Sequence, residues 1–191
     1  VLVEVNERPI LDHVTDAYQR AGIRDVTVVR GYAKEAFPEG RLRYVDNDEY
    51  ETTGELVSLQ RALHALSDVT EDVLVVSYGY VLFTKFVPEL LCDRGGDLAI
   101  TVDTAWRSGA NRDRQADYVR CSAPYSRRTF YDSVRLERAD EALQEEEIHG
   151  EWMGFLKIGP AAQPVVRELV DRMLAVPENR RAKLPMLLNT L

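Results

Sequence analysis

The chain has 191 residues, 45% of them hydrophobic and 29% charged, and a net charge of −8. One core-bearing domain is the default at that length. The acidic balance argues against a nucleic-acid surface, which needs a basic footprint, and no apolar run approaches the ~18 residues of a membrane span. Cys92 and Cys121 are the only cysteines, too few for a disulfide framework or a zinc site, and a reducing cytosol is the simplest setting. An anionic small substrate stays open where local cations or a metal offset the field. No signal-peptide pattern and no initiator Met open the chain, so it reads as a piece of something longer.

Val1 to Val5 is a short alternating apolar segment. Pro9 then opens a helix with Ile10, Leu11, Val14, Ala17, Tyr18 and Ala21 on one face, and Gly22 fits the left-handed stop. A buried strand, Val26 to Val29, and a turn at Gly31-Tyr32 follow. Arg43 to Val45 is a short strand leading into the polar loop Asp46 to Gly54. Leu56, Leu59, Leu63 and Leu66 then recur at helical spacing. This strand–helix–strand alternation is the mark of a parallel sheet.

The pivotal segment comes next. Val73 to Val76 reads as a strand covered on both faces, ending in Ser77-Tyr78-Gly79-Tyr80, where Gly79 permits a sharp turn or a close ligand. In open α/β sheets ligands gather outside the carboxyl ends of such strands. Val87 to Leu91 carries an apolar helical face closed by Gly95-Gly96, and Leu98 to Val102 is another strand, ending at Asp103. Arg107 to Arg114 is a polar loop, and residues 117–138 pattern as a small antiparallel insertion. Glu145 to Glu147 is a solvated face or loop. Trp152 to Ile158 is a strand, Pro160 starts an amphipathic helix, and a last helix runs toward Leu191. The expected fold is α/β: a Rossmann-like, mostly parallel sheet flanked by helices, in a single domain over residues 1–191.

Five stretches in this order resemble the nucleotidyltransferases that activate phosphorylated small molecules, nearest to the branch making CMP esters of phosphocholine and of phosphonates. They are Val3 to Leu11, Ala21 to Tyr32, Asn47 to Leu59, Val75 to Gly79 and Glu151 to Lys157. Some members of the phosphonate branch are fused to a phosphoenolpyruvate mutase domain. The resemblance implies a cytoplasmic enzyme that uses CTP and magnesium, takes a small phosphorylated or phosphonate acceptor, and binds neither nucleic acid nor membrane; a fusion or a homo-oligomer would be in keeping. It also implies a glycine-rich phosphate loop before Val1 and a second metal-binding Asp after Leu191. By the same resemblance the residue after Gly79 should be a magnesium-binding Asp, and here it is Tyr80.

A phenol with a pKa of about 10 is neutral at pH 7 and is a poor magnesium ligand. The chain is then a degenerate copy, or it carries a substitution, or another carboxylate takes the metal. Asp103, ending the neighbouring strand, is the best substitute and the expected catalytic and metal-binding residue; its plainer role is a turn or helix cap. Tyr78, Gly79 and Tyr80 belong to the expected nucleotide site, with Thr53, Gly54 and Ser58 at the base. The alternative for Thr52 or Thr53 is a simple helix cap. Glu151 resembles the carboxylate that contacts the acceptor, and Trp152 or Trp106 could face a cationic head group, although a strand Trp is also ordinary core. Lys157 would meet a phosphate or else form a solvated strand end. His13, His64 and His149 show no metal spacing and take no role. Three alternatives remain: a sugar-1-phosphate nucleotidyltransferase, a non-catalytic nucleotide-binding or scaffolding domain, and an unrelated doubly wound domain.

Overall fold

The structure is a computed structural model that describes residues 2–40, 42–108, 116–128 and 134–191. The expected polar loop ending at Arg114 lies from residue 109 onward outside the described residues, as do residues 129–133 of the insertion.

The strands are β1 (Glu4–Val5), β2 (Arg8–Pro9), β3 (Thr27–Arg30), β4 (Arg43–Asp46), β5 (Leu74–Ser77), β6 (Leu98–Asp103), β7 (Tyr118–Cys121), β8 (Leu136–Asp140) and β9 (Gly150–Ile158). The α-helices are α1 (Ile10–Arg20), α2 (Glu55–Ala65), α3 (Phe86–Asp93), α4 (Gln163–Leu174) and α5 (Leu184–Leu188). The opening apolar segment forms only the two-residue strand β1, which hairpins onto β2. Gly22 takes the expected left-handed conformation after α1.

Strands β3 and β4 pair in parallel, as the strand–helix alternation requires. The central sheet departs from the mostly parallel expectation. Long β9 lies between β5 and β6, antiparallel to both, and its N-terminal end also pairs antiparallel with β7, which pairs antiparallel with β8. Strands β5 and β6 thus run parallel to each other without touching along that stretch. The physical reason is connectivity. No α-helix separates β6 from β9 among the described residues, and strands joined without a crossover helix return antiparallel. The expected insertion is the β7–β8 hairpin.

Both faces of the sheet are covered. Leu74, Val76, Trp152, Leu156 and Ile158 pack with Leu56, Leu59 and Leu63 of α2, Val166, Leu169 and Val170 of α4, and Leu187 of α5. On the opposite face Val75, Ala99, Met153 and Phe155 pack with Val14 and Tyr18 of α1 and Leu91 of α3. The period-two alternation of strand side chains divides β5 and β9 between two cores. That is why Val73 to Val76 is an unbroken apolar run, even though Val73 itself is exposed.

Candidate active site

The tip of β5 is held from both sides. Tyr18 of α1 donates its hydroxyl to Ser77 Oγ at 2.6 Å, and burial pushes that phenol up to about 12. Tyr78 donates its backbone N–H to Gly154 O at 3.1 Å, and its ring stacks on Tyr80 and tilts against Trp152, each with 5.2 Å between centroids. Gly154 sits at φ +80°, and a Cβ there would collide with the Tyr78 ring. The irregular register of β9 at this point, together with a glycine that tolerates positive φ, is what lets the aromatic pair lie over the strand.

Beyond this tip opens a cleft with room for about 280 Å³, lined among the described residues by Glu55, Asp103, Asp117, Glu141 and Glu151, by Tyr78, Tyr80 and Trp152, and by the basic side chain of Lys183. Three of the carboxylates are placed by tertiary contacts. Tyr78 Oη donates to Glu55 Oε2 at 2.9 Å and lies 3.2 Å from Asp117 Oδ2. The same Glu55 oxygen accepts the Leu184 N–H at 3.0 Å, tying the start of α2 to the start of α5. Lys183 pairs with Glu141. Asp103 and Glu151 are direct partners across β6 and β9, so two like charges stand side by side on the cleft wall.

The electrostatics follow from the crowding. Burial, then the charges of Glu55 and Asp117, push the Tyr78 phenol far above its usual value, so it stays a donor. Burial also raises Asp117, with Glu55 and Glu141 adding to the shift and the Tyr78 hydrogen bond opposing it. The hydrogen bond to Glu141 raises Lys183, and the charges of Asp117 and Glu55 add to this, so it is a firm cation.

The sequence-expected residues divide. Tyr78, Tyr80, Asp103, Glu151 and Trp152 come together in the cleft; Gly79 lies between the two tyrosines. Asp103 also fills the plainer role, since its Oδ1 accepts the Ala105 N–H at 2.8 Å in a turn. Trp152 is both lining and core: it is 3% exposed, and its Nε1–H is engaged by Phe155 O at 2.9 Å. Arg107 already lies over the Trp106 ring, 4.7 Å from its centroid, taking the place of an external cation.

Thr53, Gly54 and Ser58 form a separate cluster at the start of α2. Asn47, 2% exposed, donates its side-chain amide to Thr53 Oγ1 at 3.0 Å and Ser58 Oγ at 3.2 Å. Neither Thr52 nor Thr53 caps the helix; both hydroxyls donate back to Glu49 O. The N-cap is Gly54, whose N–H and that of Leu56 are received by Arg180 O and Ala182 O. A Cβ at position 54 would strike the backbone at 181 and 182, so this bare backbone admits the C-terminal segment.

Lys157 is the clear correction. It is 6% exposed, away from the cleft, and its ammonium donates to Cys92 O at 3.2 Å and Arg94 O at 2.5 Å. It caps the carbonyl end of α3, where a cation is favoured and a long stem can be buried. The histidines bind locally: His13 to Val5 O, His64 to Asp171 and His149 to the Cys121 N–H.

Sequence reasoning gave no role to Asp117, Glu141, Asn47 or Lys183. No local pattern marks Asp117, Glu141 or Lys183, because each acts through a partner distant in the chain, whereas Asn47 acts within its own loop and helix start, on Glu49, Thr53 and Ser58. Only Pro185, favoured in a first helical turn, hints that Lys183 is a helix N-cap. Among the described residues no three His, Cys, Asp or Glu side chains converge to hold a metal ion by themselves, and no helix is long and apolar enough to cross a membrane.

Among solved structures, the chain is similar to the inositol-1-phosphate CTP transferase of T. maritima, with TM-score 0.70 and 11% identity over 100% of this chain and 71% of that one. It also resembles the CTP:phosphocholine cytidylyltransferase of Streptococcus pneumoniae, with TM-score 0.57 and 17% identity over 100% and 76%. A UDP-glucose pyrophosphorylase complexed with UDP-glucose matches at TM-score 0.65 and 10% identity over 99% and 76%. The fold is the Rossmann-like α/β fold of nucleotidyltransferases. The chain belongs to the MobA-like NTP transferase domain family, whose sequence profile matches residues 1–153. A curated relative, CTP:phosphoglutamine cytidylyltransferase of Campylobacter jejuni, is 23% identical over 168 residues, covering 82% of this chain and 63% of the relative.

Proposed function

We propose that the chain transfers a cytidylyl group from CTP to a small phosphonate or phosphocholine-type acceptor. An acceptor oxygen attacks the α-phosphorus, the bond to the bridging oxygen of the β-phosphate breaks, and pyrophosphate leaves. The observation that carries this reading is the cleft at the tip of β5, with acidic walls, an aromatic shelf and, among the described residues, Lys183 as its cation. Acidic walls and the Tyr80 ring suit a positively charged head group on the acceptor. Thr53 and Ser58 would attend the base, Tyr78, Gly79 and Tyr80 the nucleotide, and Glu151 with Trp152 the acceptor, while Gly54 is covered by the C-terminal segment. The names of the relatives, which include CTP-dependent transferases, support CTP over other nucleotides. A cytoplasmic setting follows from the same reading.

Two polyanions must meet here, and each unit-charge pair at ~4 Å repels by about 4 kcal/mol at an effective dielectric near 20. Magnesium typically sits on one or two carboxylates together with substrate phosphates. The cross-strand pair Asp103 and Glu151 fits that donor set, and Tyr80 does not. Those two residues would hold the ion, and it would supply charge neutralisation at the phosphates. The chain's own contribution is positioning and a preorganised field.

Pyrophosphate release measured with CTP, UTP, GTP and ATP tests the reading, with release from CTP as the expected result and a strong preference for UTP overturning it. Tyr80 favours a second reading, a nucleotide-binding domain without turnover, since a phenol that is 60% exposed stands where a carboxylate is expected. On the catalytic reading, Tyr80→Asp raises magnesium-dependent turnover by orders of magnitude. CTP binding that ignores magnesium in both proteins would establish the second.

A further inference from the structure

We propose that Lys183 grips the phosphate or phosphonate end of the acceptor, with Glu141 holding its ammonium until the acceptor arrives; this rests on the transfer reading of the cleft. Among the described residues lining the cleft, Lys183 is the only basic one, facing five carboxylates. Among these described side chains a phosphate dianion is attracted by Lys183 and repelled by the carboxylates. The ammonium is a compact point charge suited to phosphate.

Its backbone is fixed while its tip is free to exchange partners. Leu184 is buried and its N–H is received by Glu55, and the helix that follows is docked by Asn189. That side chain accepts the Ala139 N–H at 2.7 Å and donates to Ala139 O at 2.8 Å, completing the edge of β8. The Lys183 side chain itself is 57% exposed, and its partner Glu141 is 27% exposed. An ion pair with an exposed lysine and a partly exposed carboxylate adds little to stability, so a phosphate with two charges can replace the one carboxylate. Glu141 thus acts as a stand-in anion on the acceptor's binding group.

The test is calorimetric titration of the full chain with phosphocholine, 2-aminoethylphosphonate and choline, alongside steady-state kinetics. Lys183→Met should weaken both phosphorus-bearing probes by about tenfold or more and leave choline binding unchanged. KM for the acceptor should rise while KM for CTP holds. Lys183→Arg should restore most of the affinity, and Glu141→Gln should tighten it. Melting curves keep a folding defect apart from a binding one. Equal losses for choline and phosphocholine, or no loss at all in an active enzyme, overturn this inference alone. A wild-type chain that binds no probe and releases no pyrophosphate from CTP overturns the transfer reading and this inference together.

Discussion

Tyr78 donates a hydrogen bond from its hydroxyl to Glu55 at 2.9 Å, so the tip of β5 and the first residue of α2 are held together across 23 residues. Because Glu55 also receives the Leu184 N–H, three segments meet at one carboxylate. Tyr78→Phe keeps the ring, its stack on Tyr80 and its contact with Trp152, and removes only the donor. A lost hydrogen bond to a charged group should cost about 1–3 kcal/mol, read as a lower urea midpoint with an unchanged slope. An unchanged midpoint would mean that the two carboxylates had found another donor.

Asp117 sets a pH signature. Its folded carboxyl is raised above the usual value of about 4 by burial first and by Glu55 and Glu141 second. The folded state therefore holds the proton more tightly than the unfolded chain. That contribution to stability is fully present below the unfolded value and is lost as pH rises through the folded one. Asp16, Asp46 and Asp140 are lowered by hydrogen bonds, so each contributes in the opposite direction, and all three are only partly exposed pairs screened by solvent. Asp117→Asn should flatten the fall in urea midpoint as pH rises above the ordinary carboxylate range. A profile identical to wild type would place the titration elsewhere.

Gly154→Ala should be the most damaging small substitution in the cleft. It places a Cβ at φ +80° and drives it into the Tyr78 ring. A strained backbone costs about 1–3 kcal/mol before any displacement of the ring. The expected outcome is a loss of more than about 2 kcal/mol in denaturant unfolding, with altered near-ultraviolet dichroism from the tyrosine pair.

Lys157→Met separates the two roles weighed for that residue. Removing the ammonium leaves Cys92 O and Arg94 O without their charged donor. The expected loss is about 2 kcal/mol of stability, with KM for the acceptor unmoved in the folded fraction. A raised KM with no change in melting would return Lys157 to the substrate.

Much of the fold is legible because it is written in local periodicity. The faces of α1 and α2, the apolar runs of β5 and β6, and the glycine after Tyr78 all follow from spacing within a dozen residues. The Asp103 turn was legible in the same way. The cleft was legible only in part, since its wall joins Tyr78 to Asp117 and Glu55 to Leu184. Lys157 illustrates the limit. A lysine in a strand reads as solvated, and only the neighbouring end of α3 shows why this one is buried.

The amino-acid order alone determined the helices, most of the strands and the position of the β5 tip, because short-range patterning of apolar side chains dictates which face each element must hide. Tertiary structure decided that β9 enters between β5 and β6, that Gly54 makes room for the C-terminal segment rather than standing open, and that Lys183 meets the carboxylates. Those outcomes depend on residues far apart in the chain, such as Lys183 and Glu141, 42 positions apart, where packing of the whole chain, and no repeat along it, selects the partner.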